Sequence, residues 1–226
     1  MGTPSIPPTL EGILDYALNT RYFHPEDGGP AAIPLHYVPG KVPLVAVVGP
    51  NAGGKSFLRR IVGGVCRMTN PRVEFMGISM EFRTGGGAMR SIVLGSEEWE
   101  ATGQISARTV TTGIKTCRSR DNPHVVFWDE PDIGLSEGYS RGVGQSIARF
   151  ASDLPTNTVA AFVVSHSKPL VREFADLEPH YLHVGSDEAP LTLQAWLDTV
   201  PTPLDIDELG TRSYARFKLI QKILDK

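Results

Sequence analysis

Leu44-Val45-Ala46-Val47-Val48-Gly49-Pro50-Asn51-Ala52-Gly53-Gly54-Lys55-Ser56 is the stretch on which the reading of the fold turns. Its first five residues are apolar, largely β-branched, and bounded by Pro43 and Gly49, which describes a strand buried on both faces. Its last eight match GxxxxGK[ST]. Glycines let the backbone turn tightly enough to aim successive N–H groups at phosphate oxygens. A helix expected over Ser56–Cys66 adds the positive end of its dipole. In this pattern Lys55 reaches the β- and γ-phosphates and the Ser56 hydroxyl ligates Mg²⁺. The expected ligand is therefore ATP with Mg²⁺, held by Gly49, Pro50, Asn51, Ala52, Gly53, Gly54, Lys55, Ser56 and the next residue, Phe57.

Working outward, a Mg-nucleotide site needs an acid at the end of a neighbouring strand. Val125-Val126-Phe127-Trp128-Asp129-Glu130 supplies one, with Asp129 as the metal-side carboxylate and Glu130 as the general base on the attacking water. A third apolar run, Val159–Val164, ends in Ser165-His166. Parallel strands present their C-terminal ends on one side of a sheet, so His166 is expected to contact the γ-phosphate or orient the water. Lys55, Glu130 and His166 form the expected catalytic set.

The rest of the chain fills in around these runs. A helix is expected near 9–20, a proline- and glycine-rich loop over 24–41 holding a short strand at Ile33–Val38, and strands at Val73–Ile78 and Ser91–Leu94 separated by the loop Thr84–Gly87. Helices follow at Ser106–Thr116, Glu137–Ala151 and Lys168–Phe174, with an edge strand at Tyr181–Val184. Strands alternating with helices predict an α/β fold with a mostly parallel sheet covered on both faces. We expect one domain over 1–226: an extension to about residue 32, a core over about 33–185 and a helical C-terminal segment. In that segment Phe217, Ile220, Ile223 and Leu224 share one helical stripe, which suits packing on the domain or docking of a partner.

Composition excludes several classes. The chain has 226 residues, 41% of them hydrophobic and 21% charged, as in an ordinary globular protein. A net charge of -3 gives no support for a strongly basic nucleic-acid surface. Cys66 and Cys117 lack metal-ligand spacing and read as reduced structural thiols. No apolar run approaches the ~20 residues of a membrane span. The first residues, MGTPSIPPTLEG, lack the charged and apolar regions of a signal peptide, so a cytoplasmic protein is expected.

These motifs together resemble the ABC-type ATPase superfamily, in particular its MutS, SMC, RecF-like and OLD-like branch. The resemblance rests on Pro50-Asn51 inside the glycine-rich loop, on Asp129-Glu130-Pro131-Asp132-Ile133-Gly134-Leu135, and on the strand ending in His166. It implies a P-loop ATPase that binds Mg-ATP, forms a head-to-tail homodimer around it and hydrolyses it. It also implies work in DNA repair or genome maintenance, with DNA or a DNA-bound protein as partner. The family's signature motif has only a partial counterpart, Ala101-Thr102-Gly103-Gln104-Ile105-Ser106, where Gln104 and a hydroxyl of Thr102 or Ser106 take the place of the trans contact to the γ-phosphate. Ser136 stands where the family has an aspartate after the catalytic acid. Only 47 residues separate Lys55 from Gly103, which leaves little room for the helical subdomain of a transporter ATPase. Tyr37, before the glycine-rich loop, either stacks on adenine or packs into the core, and Arg59 and Arg60 read as a solvated helix face. A slow-turnover ATP-dependent switch and a transporter subunit are the alternative functions.

Overall fold

The computed structural model describes residues 6–25, 31–79 and 102–225, so the expected strand Ser91–Leu94 and loop Thr84–Gly87 lie outside the described residues. Among those residues the strands are β1 (Leu35–Val38), β2 (Val42–Val48), β3 (Glu74–Ser79), β4 (His124–Asp129), β5 (Thr158–Val164) and β6 (Pro179–Val184). The helices are α1 (Leu10–Leu18), α2 (Lys55–Met68), α3 (Thr102–Ser119), α4 (Glu137–Ser152), α5 (Lys168–Ala175), α6 (Leu193–Asp198) and α7 (Asp207–Leu224). The sheet runs β1-β6-β2-β5-β4-β3. All neighbours are parallel except β1, which pairs antiparallel with β6. The chain is thus α/β, with a mostly parallel six-stranded sheet flanked by helices.

The continuous apolar runs become the centre of this sheet because both of their faces are covered. Val45, Val47, Val125, Phe127, Phe162 and Val164 point to one side, where α1 and α2 bring Ile13, Leu14, Leu58 and Val62. Leu44, Ala46, Val48, Val126, Trp128 and Val163 point to the other, against Val110 of α3, Ile147 and Phe150 of α4 and Leu170 and Phe174 of α5. Phe127 and Phe162 stack across neighbouring strands with centroids 5.3 Å apart. Each large side chain so buried contributes about 2 kcal/mol of hydrophobic stabilisation.

The edge assignment differs from expectation. Tyr181–Val184 does not form an edge; β6 is fully buried between β1 and β2 because the antiparallel β1 covers it. α3 also starts earlier than Ser106, at Thr102. The signature-like segment is therefore the first turn of a helix, not a loop before one. A short helix at Leu193–Asp198, capped by the Thr192 hydroxyl, was not legible from periodicity because it is only six residues long.

The C-terminal helix differs too. α7 has no buried residue, and Tyr214, Phe217 and Leu224 are exposed; only Ile220 packs against the core. No described helix is long and apolar enough to cross a membrane.

Candidate functional site

Register gathers the site. Val47, Val164 and Asp129 lie level across β2, β5 and β4. Beyond that line the chain leaves the sheet at Gly49, Ser165 and Glu130, all at the C-terminal end of the strands. The exits are tied together: Ser165 N–H donates to Val47 O at 3.2 Å and Glu130 N–H to Val164 O at 2.9 Å.

The glycine-rich loop follows β2. Gly49 and Gly54 have φ of 136° and 106°, a left-handed conformation that side chains rarely adopt. Gly53 is needed for space: a Cβ there would sit 2.7 Å from Val184 O and 2.9 Å from Pro50 O. Lys55 opens α2 and is 7% exposed. Its Nζ donates to Gly49 O at 3.1 Å and Pro50 O at 2.8 Å, folding the ammonium back over the loop. Burial pushes its pKa down to about 8, against the opposing pull of Glu130 and Asp129. Ser56 is half-buried in the first turn of α2, while Asn51 is exposed at the loop tip. The Phe57 ring stands edge-on to Tyr22 at 4.9 Å and packs against the core.

Asp129 ends β4 and is 9% exposed. Arg59 Nε lies 3.7 Å from its Oδ2, and that guanidinium is itself largely buried. This corrects the expected solvated face: Arg59 is a fixed cation beside the strand-end acid. Glu130 follows with φ of 52°, a left-handed conformation costly for a residue with a Cβ. It carries the carboxylate over the edge, where its Oε1 stands 3.5 Å from His166 Nε2. Desolvation and then the Lys55 ammonium lower the His166 pKa to about 4. The imidazole is therefore neutral at pH 7, and its contact with Glu130 is polar rather than an ion pair. Asn51, Glu130, Asp132, Ile133, His166 and Ser167 enclose a cleft of about 430 Å³.

A network missed by sequence reading sits beneath this pair. Asp132 Oδ2 accepts from Ser140 Oγ at 2.6 Å and Oδ1 from Ser165 Oγ at 3.3 Å. Ser140 Oγ and Ser167 Oγ are 2.7 Å apart, and Ser167 N–H donates to Ser165 Oγ at 2.9 Å. Asp132 thus fastens the segment after Glu130 to both neighbours of His166 and to α4. One serine in α4 and two in the turn between β5 and α5 carry no spacing signal, so only the tertiary contacts reveal them.

Two expected ligand groups are placed elsewhere. Tyr37 lies on β1, its hydroxyl 2.7 Å from His180 Nδ1 and its ring stacked on that imidazole. It lines a separate cavity with α1 residues Glu11, Leu14 and Asp15, because β1 directs it to the α1 face of the sheet. Ser106 is 1% exposed and its hydroxyl donates to Ile133 O at 2.8 Å, so it braces the turn after Glu130 and is not presented outward. Gln104 is exposed at the start of α3, and Gly103 beside it packs so closely on Gly134 and Leu135 that a Cβ would clash.

Among the described residues no group of three or more His, Cys, Asp or Glu side chains forms a metal site on its own. Ser56 at the start of α2 and Asp129 at the end of β4 are the hydroxyl and the carboxylate that could contribute to one. Compared with known proteins, the chain matches no family model and no curated sequence.

Proposed function

We propose that the chain is a stand-alone ABC-type P-loop ATPase that binds Mg-ATP, pairs head-to-tail with a second copy and hydrolyses the γ-phosphate. The observation that carries this reading is the convergence of three strand ends, β2, β5 and β4, which sets Lys55, His166 and Asp129-Glu130 at one end of the sheet. In this reading the loop amides and Lys55 cradle the phosphates, exchanging two carbonyl partners of Lys55 for phosphate oxygens. Ser56 and Asp129 would hold Mg²⁺, which would neutralise phosphate charge. Glu130 accepts the proton of the attacking water, and neutral His166 orients that water from the other side of the cleft. The family likeness extends the proposal to DNA repair or genome maintenance, with DNA or a DNA-bound protein as partner, in the cytoplasm.

One observation favours a second reading, an ATP-dependent switch with slow turnover. The inward-turned Ser106 removes one hydroxyl from the surface that would complete a partner's site. Glu130→Gln tests both readings. In sedimentation with Mg-ATP the variant is expected to bind nucleotide, lose turnover and accumulate as a dimer. Hydrolysis at the wild-type rate would overturn the role of Glu130.

A further inference from the structure

The strand order fixes more than the hydrolytic edge. β2 lies between β5 and β6, so the glycine-rich loop at its end has two flanks. The flank towards β5 and β4 holds Glu130 and His166. A triphosphate whose γ-phosphate lies on that flank must leave its nucleoside on the other, towards β6.

There the structure has a second cavity, about 710 Å³ in volume, comparable to sites that enclose small organic ligands. The loop residues Asn51 and Ala52 form one wall, the turn after β6 (Gly185–Glu188) another, and α7 the third. α7 is held in place by Arg216, whose Nη1 donates to Ala32 O and Nη2 to Gly185 O at 3.2 Å. Gly185 in turn touches the glycine-rich loop, since a Cβ on it would fall 2.2 Å from Gly53 Cα. The helix is therefore mechanically joined to the loop through one glycine contact and one arginine. His183, 5% exposed, contributes to the floor of this cavity from β6.

We infer that the cavity between the glycine-rich loop and α7 is the nucleoside subsite of the ATP site, with Arg216 as its organising residue. The inference rests on the proposed ATPase reading. The chemistry suits a purine nucleoside. The carboxylates of Asp187 and Glu188 are acceptors for ribose hydroxyls, and Ala215 and Leu219 give an aliphatic wall for a flat base. Arg216 spends its edge on two carbonyls, and a guanidinium so bonded keeps its flat face for stacking on an aromatic ring. This assigns a role to a helix that buries no residue of its own: it completes the site when nucleotide arrives.

Calorimetry of the full chain with Mg-ATP and with Mg-tripolyphosphate tests the inference, using wild type, Arg216→Ala and Ala215→Gln. Ala215 is exposed on α7, and its glutamine variant fills the cavity while leaving Arg216 in place. Wild type is expected to bind ATP at least ten-fold more tightly than tripolyphosphate. Both variants should lose at least five-fold in ATP affinity and stay within two-fold for tripolyphosphate. Equal losses for both ligands, or unchanged ATP affinity in both variants, would overturn the subsite. Equal wild-type affinities for ATP and tripolyphosphate would also overturn it and leave the ATPase reading standing. Binding of neither ligand by wild type would overturn the ATPase reading, and the subsite with it.

Discussion

Removing the Asp132 carboxylate is expected to loosen the candidate site from beneath. The side chain accepts two serine hydroxyls, at 2.6 Å from Ser140 and 3.3 Å from Ser165. Hydrogen bonds to an ionised acceptor contribute about 1.5–3 kcal/mol each, and a long one contributes less. The donors are buried, Ser140 at 3% exposure and Ser165 at 0%, so alanine leaves hydroxyl hydrogens stranded. Ser140 keeps Ser167 as a partner, which recovers part of the loss. Asp132 itself is half-buried, and solvent screening holds the total to about 2–3 kcal/mol for Asp132→Ala. Asp132→Asn keeps one acceptor oxygen and should lose about 1 kcal/mol. Denaturant unfolding of the three proteins at pH 7 measures this order. ATP turnover should fall in the same order, because Ser165 and Ser167 flank His166. Stability of Asp132→Ala within ~0.5 kcal/mol of wild type would refute the claim that this network fastens the two strand ends together.

Three further outcomes follow from the same geometry. Lys55, with its pKa pushed down to about 8, is largely uncharged at pH 8.5, and on the proposed reading bound phosphates would recharge it. Calorimetry in buffers of different ionisation enthalpy should then show uptake of about three-quarters of a proton per ATP at pH 8.5 and about a tenth at pH 7. Lys55→Arg, which stays charged, should show neither. His183 titrates at about 4 in the fold, lowered first by burial and then by His36 and Lys55. The unfolded chain takes up that proton near pH 6.5, so the contribution to stability is present above this value and is lost as pH falls towards 4. His183→Gln should flatten the pH dependence of stability between pH 7 and 5 by about 2 kcal/mol; identical slopes in wild type and variant would refute it. Gly53→Ala drives a methyl group onto the Val184 and Pro50 carbonyl oxygens at 2.7 and 2.9 Å. Neither backbone can yield cheaply, and a loss of about 1–3 kcal/mol should appear in thermal unfolding.

Local pattern alone set the centre of the sheet and the loop at the end of its middle strand. Continuous apolar runs such as Val45–Val48 and Val125–Trp128 can be satisfied only by burial on both faces, so strand identity and the parallel layering follow from local pattern. The glycine-rich loop was legible for the same reason: its spacing is a backbone requirement written in consecutive residues. What lay beyond local pattern was decided by tertiary structure. Which strand lies at the edge depends on pairing, and β1 covers β6. Tyr37 precedes the loop in sequence, but its strand directs it to the face covered by α1, into a cavity that no residue of the loop lines. Ser106 offers a hydroxyl in the right segment, yet helix α3 turns it inward to Ile133. Arg59 is drawn to Asp129, while Asp132 gathers serines from α4 and from the turn between β5 and α5. Hydrogen bonds and charge pairs act over a few ångströms in space, without regard to separation along the chain. The strand order turned the loop into a site with two distinct flanks, and on one of them it set the C-terminal helix.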